Sequence, residues 1–115
     1  MSQVLPVLAQ CSFAPKGATL LFEQPELHLH PAAAKKMASV LVSAAMAKGL
    51  HIISETHSKD LFIGLMDEIR AGNLAVDDIA AYKVRRVEGQ SFFSPIKIEL
   101  EDGQPQIYDP WQDDL

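Results

Sequence analysis

The sequence predicts an α/β fold: a parallel sheet with flanking helices, followed by a C-terminal β-hairpin or meander. Two short apolar runs, residues 19–23 and 50–54, are separated by an Ala-rich stretch with helical spacing. Strand–helix–strand alternation of this kind implies parallel pairing through a right-handed crossover. From residue 79 the pattern changes to two β-rich segments joined around Glu88-Gly89-Gln90, a short hairpin connection.

Each element has a local reason. Residues 3–14 read as a short helix. "TLLFE" (19–23) lies between Gly17 and Pro25 and suits a buried strand. Pro31 opens "PAAAKKMASVLVSAAMAK", and proline is tolerated there because its missing N–H would have had no helical partner. Ala34, Met37, Leu41, Ala44 and Ala45 recur at helical spacing, and Gly49 provides the stop. "LHIIS" (50–54) is the second buried-strand candidate. Ser58 can cap a helix whose apolar face is Leu61, Phe62, Leu65, Met66 and Ile69, with Arg70 in its last turn and Gly72 ending it. In "FFSPIKIEL", Ile96, Ile98 and Leu100 alternate with Lys97 and Glu99, so one face is solvated. Asp102-Gly103 turns the chain again, and the acidic end "YDPWQDDL" is expected to be loose except near Trp111.

Composition narrows the function classes. A chain of 115 residues suits one domain, 1–115, that buries about two thirds of its unfolded surface. The net charge of -5 argues against a general grip on nucleic acid or anionic lipid, while leaving room for a local patch or binding through a partner. One cysteine, Cys11, excludes an intrachain disulfide and a cysteine-pair zinc site. The apolar start lacks a basic leader region, is interrupted by Pro6 and is too short to span a bilayer. The expected setting is therefore cytoplasmic, with no membrane partner.

Chemistry collects where parallel strands end at their carboxyl edges. Two loops qualify: "EQPELHLHP" after the first strand and "ETHS" after the second. Between them they hold Glu23, Gln24, Glu26, His28, His30, Glu55, Thr56 and His57. If the strands are neighbours, these side chains converge, with Glu23 and His57 at the same edge.

"LLFEQPELHLHP" resembles the Walker B segment and following loop of ABC-like AAA ATPases, P-loop NTPases related to the overcoming-lysogenization-defect nucleases and chromosome-maintenance ATPases. The resemblance assigns Glu23 as the Mg²⁺ ligand. The family's water-polarising glutamate is replaced by Gln24, which can orient water without taking its proton, and Glu26 becomes a substitute base. "LHLHP" stands in the place of the D-loop, with His30 on its usual acidic position. "ETHS" resembles the switch segment, giving His57 the γ-phosphate contact and placing Thr56 beside the nucleotide. "SQVLPVL" looks like the downstream end of the signature motif, with Ser2 and Gln3 capping a partner's γ-phosphate.

One element of the family is not in the sequence. None of the six glycines lies in a G-x-x-x-x-G-K-[ST] phosphate loop, whose N–H groups and Lys would hold the phosphates. The resemblance therefore implies a partial P-loop-NTPase, the C-terminal half of an ABC-like ATPase domain, inactive until a Walker A-containing half completes it. Its implied cofactors are Mg²⁺ and ATP. Its implied partners are that missing half or a head-to-tail homodimer partner, with nucleic acid or an effector domain engaged through the complete ATPase. It further implies that strand 50–54, lacking its phosphate-loop neighbour, pairs with strand 79–86 or recruits a strand from another chain.

Two rivals stand beside this reading. One is a stand-alone metal-dependent hydrolase built from Glu23, Glu26, His28, His30 and His57, since alternate residues of an extended stretch face the same way. The other is a non-catalytic interaction module or truncated remnant that keeps the fold.

Overall fold

A computed structural model describes residues 4–108. In chain order it contains α1 (Val4–Phe13), β1 (Thr19–Glu23), α2 (Pro31–Lys48), β2 (His51–Glu55), α3 (Lys59–Arg70), a 3-10 turn (Val76–Asp78), β3 (Ala81–Val87), β4 (Gln90–Glu101) and β5 (Gln104–Tyr108). Two compact units result, one ending at Asn73 and one starting at Leu74.

The first unit is a β–α–β crossover with two added helices. β1 and β2 are parallel and in register, Leu20 beside Ile52 and Phe22 beside Ser54. Phe22 joins Val7, Cys11, Met37, Ala38, Leu41 and Leu61 in one buried cluster, with Leu20 and Ile52 packed against it. Those contacts put the helices on one face of the two strands. The opposite face carries Leu21 and Ile53, 71% and 59% exposed. The two strands read as buried are thus buried on the helix side, and alternation along a strand sends every second residue to the other.

Small residues let the helices approach closely. Ala38 is fully buried on α2, and Gly64 of α3 faces it. A Cβ placed on Gly64 would lie 2.6 Å from the Lys35 carbonyl oxygen and 2.8 Å from the Ala38 methyl. Helix ends are satisfied individually. Ser58 Oγ accepts from the N–H groups of Asp60 and Leu61, capping α3. Gly72, at φ 82°, closes it: the Asn73 N–H reaches the Glu68 carbonyl and the Gly72 N–H the Ile69 carbonyl. Lys48, in the last turn of α2, donates to the carbonyls of Cys11, Ser12 and Ala14 at 2.9, 2.5 and 3.1 Å, so one ammonium ties down the end of α1.

The second unit is an antiparallel meander in the order β3-β4-β5. Two-residue turns at Glu88-Gly89 and Asp102-Gly103 have positive φ at both positions, the geometry whose twist matches that of the strands they join. Pro105 is buried in β5, whose last residue, Tyr108, opens the segment expected to be loose; the rest of that segment, Trp111 included, lies outside the described residues. β2 pairs with β1 alone among the described strands, so of the two alternatives expected for 50–54 the pairing with 79–86 does not form. β3 instead pairs with β4, from Ala81 opposite Ile96 to Val87 opposite Gln90, a hairpin that closes at little entropic cost.

Candidate functional site

The register of β1 and β2 builds the site. Glu23 and Glu55 are Cα partners at the carboxyl ends of the two strands. Beyond them the Gln24 N–H donates to the Glu55 carbonyl at 2.8 Å, which extends the pairing into the loop. Gln24 then takes a positive φ of 46° and His28 one of 67°, conformations that cost a non-glycine residue energy. Between them two successive turns, from the Leu27 N–H to the Gln24 carbonyl and from the Leu29 N–H to the Glu26 carbonyl, fold the segment back toward α2.

That path turns Glu26 inward. Glu26 is 6% exposed and is the buried charged side chain among the described residues. Its Oε1 accepts a hydrogen bond from the Thr56 hydroxyl, and Thr56 Oγ1 accepts from the Ser58 N–H at 3.0 Å. Its Oε2 is buried without a partner. A buried carboxylate oxygen without a protein partner is costly unless water or a ligand group reaches it.

The other predicted residues are distributed around this contact. Glu23 is exposed at the end of β1, and His57 is exposed with Nε2 3.7 Å from Glu55 Oε1. Glu23 and His57 therefore both sit at the carboxyl edge, linked through Glu55. His30 acts as the N-cap of α2: its Nδ1 accepts from the Ala32 N–H at 3.2 Å. Ser2 and Gln3 lie outside the described residues. Among the described residues no three His, Cys, Asp or Glu side chains gather as a metal-holding group. The five residues of the hydrolase alternative thus form no such ligand set.

Glu55 is the site residue that sequence reasoning left without a role. The second strand starts one residue later than expected, at His51, because Leu50 belongs to the helix cap: its N–H bonds to the Ala45 carbonyl. The strand consequently runs one residue further and carries Glu55 into register with Glu23. The glycine stop at Gly49 was the available signal, since a glycine cap is commonly followed by an apolar residue that packs back on the helix.

Comparison with known proteins now bears on the fold. The family described as "AAA domain, putative AbiEii toxin, Type IV TA system" matches residues 1–64, more than half the chain and the whole of the site. The chain belongs to this AAA family. A solved SMC ATPase structure, from work on ATP-driven dimerization and DNA-stimulated activation, is similar to this AAA chain at 21% identity and a TM-score of 0.56. The match covers 79% of this chain and 47% of that one, so the AAA chain spans about half the length of the SMC protein it resembles. At that identity the likeness carries the fold. No curated protein matches the chain. No described helix is long and apolar enough to cross a membrane.

Proposed function

We propose that this chain supplies the Walker B, D-loop and switch-histidine portion of an ABC-like AAA ATPase site, in the cytoplasm, and that a Walker A phosphate loop carried by other polypeptide completes it. The observation that supports the reading most is the tie between the two loops at the carboxyl edge. In-register strands set Glu23 beside Glu55, and Thr56 holds the buried Glu26.

Mg²⁺ and ATP fit the donors present. Mg²⁺ prefers a few carboxylate oxygens together with phosphate oxygens and water, and Glu23 at the strand end offers such an oxygen. When bound, the ion neutralises charge that builds on the transferring phosphoryl group. The chain's own residues do the rest. Glu26, with Oε2 bare and buried, accepts a proton from water, and Thr56 fixes the carboxylate's orientation through Oε1. Gln24, held by its N–H on Glu55, presents an amide that can orient water without accepting a proton. His57 donates toward a γ-phosphate, with Glu55 beside its ring. His30 and the segment around it reach toward a head-to-tail partner, whose nucleotide Ser2 and Gln3 cap in turn. Nucleic acid or an effector domain is engaged by the completed ATPase.

Calorimetry with Mg-ATP tests the division of labour. The isolated chain gives no micromolar binding and no turnover. Turnover abolished by Glu23→Ala would place the phosphate-holding element within these 115 residues and contradict the division.

A further inference from the structure

In an antiparallel sheet with one solvated face, that face is normally polar. The meander of the second unit departs from this. Its registers set Val84 opposite Phe93 and Tyr82 opposite Pro95, so these four side chains share one face. Tyr82 is 60% exposed, Val84 58% and Phe93 68%. The other face takes Ala81, Ile96, Ile98 and the buried Pro105, with Val87, Phe92, Leu100 and Ile107 half-exposed toward its ends. The most exposed apolar side chains of the meander, Phe93, Tyr82 and Val84, are therefore on the side where the alternation calls for polar residues.

The charges around the cluster say what it fits. On the same face Arg86, level with Ser91, flanks one end of it. Lys97, Glu99 and Glu101 flank the other, with Tyr108 opposite Lys97, Gln106 opposite Glu99, and Lys97 Nζ paired to Glu99 Oε1 at 2.9 Å within the chain. Two cations and two carboxylates leave the face without net positive charge, which disfavours a phosphate backbone. The charges are instead polarised along β4, basic toward the first hairpin and acidic toward the second. Arg86, level with Ser91, and Glu99 are equidistant along β4 from Pro95.

We propose that two copies of this chain pack face to face through this surface, with strands antiparallel about a two-fold axis crossing β4 at Pro95. That operation lays Tyr82 and Pro95 near their own copies. It brings Phe93 over the partner's Lys97, a cation above an aromatic face, and beside the partner's Tyr108. It sets each Arg86 against the partner's Glu99, which exchanges its pairing with Lys97 of its own chain for the arginine as that lysine turns to the ring. An isologous contact of this kind uses one patch twice and closes at a dimer. The proposal does not depend on the ATPase reading, because no residue of the carboxyl-edge site takes part.

Analytical ultracentrifugation over a range of concentrations tests it. The wild-type chain sediments as a monomer–dimer equilibrium, and Phe93→Glu leaves monomer only. Arg86→Glu and Glu99→Arg each weaken the dimer about tenfold or more, and the double exchange restores it to within about threefold of wild type, as expected for a charge pair that contacts across the axis. Circular dichroism of each variant at the wild-type level keeps the comparison one of association. A dimer that survives Phe93→Glu overturns the proposal, as does a charge exchange without rescue. A wild-type chain that stays monomeric while a single-stranded oligonucleotide binds at Phe93 also overturns it, in favour of a nucleic-acid surface.

Discussion

The Thr56 hydroxyl donates to the Glu26 carboxylate, joining two residues 30 positions apart and locking the loop after β1 to the loop after β2. Because Glu26 is buried, the bond is made in a medium where a charge-assisted contact is worth more than at the surface. Thr56→Val should lower unfolding stability by about 1–3 kcal/mol, since it removes one donor from a buried carboxylate that already has one bare oxygen. Thr56→Ser, which keeps the hydroxyl, should recover most of the loss. Urea denaturation of the two variants measures the difference, and equal losses would mean that the hydroxyl contributes nothing.

Gly64 should resist even its smallest replacement. In an exposed helix interior Gly→Ala stabilises by about 1 kcal/mol. Here the added methyl meets the backbone of α2 at Lys35, which has no flexible end to move aside. Overpacking of this kind costs about 1–3 kcal/mol, so Gly64→Ala should be a net loss seen as a lower denaturation midpoint. A stabilised variant would show that α2 and α3 can separate freely.

His30 has a structural role besides its place in the D-loop resemblance. Its Nδ1 accepts from the N-terminus of α2, so His30→Ala should cost about 0.5–2 kcal/mol. His30→Asp should match or exceed the wild type, because aspartate caps well and its charge suits the positive end of the helix. Thermal denaturation of the pair distinguishes a cap from a side chain held only for the site.

Cys11 should give the stability a pH dependence of known sign. Burial pushes its thiol pKa up, with Lys48 opposing in part. The folded thiol therefore keeps its proton at pH values where the unfolded thiol has begun to lose it. This contribution is fully present below the unfolded value, about 8.5, and is lost as pH rises through the higher folded value. Denaturation from pH 7 to 10 should show a steeper fall for wild type than for Cys11→Val. Parallel curves would remove the thiol as the cause.

Much of the first unit was legible because its signals are local. Pro31, Gly49, Ser58 and Gly72 mark helix ends through their own backbone chemistry, and the structure uses each of them there. The lone exposure of Leu21 and Ile53 was not legible. "TLLFE" and "LHIIS" are apolar enough for two buried faces, and only the placement of all helices on one side leaves every second residue uncovered. The β3–β4 hairpin was legible too, through the turn at Glu88-Gly89, whereas nothing in the apolar run 50–54 says whether strand 79–86 joins it. At the site, the type and spacing of Glu23, Glu26 and His57 were readable, whereas the inward turn of Glu26 depends on the positive φ at Gln24 and His28. Neither residue announces that conformation in sequence.

On the function proposed, the carboxyl edge of β1 and β2 holds a divalent ion and phosphate, with Glu23 as the protein's oxygen ligand. Mn²⁺ substitutes for Mg²⁺ at such oxygen sites and broadens the NMR signals of nearby nuclei, so trace additions to the ¹⁵N-labelled chain map the site directly. The strongest broadening is expected at the amides of Glu23, Gln24, Glu55, Thr56 and His57, with its loss in Glu23→Gln. Broadening centred elsewhere, such as the acidic hairpin around Glu101 and Asp102, or a pattern unchanged by Glu23→Gln, would contradict it.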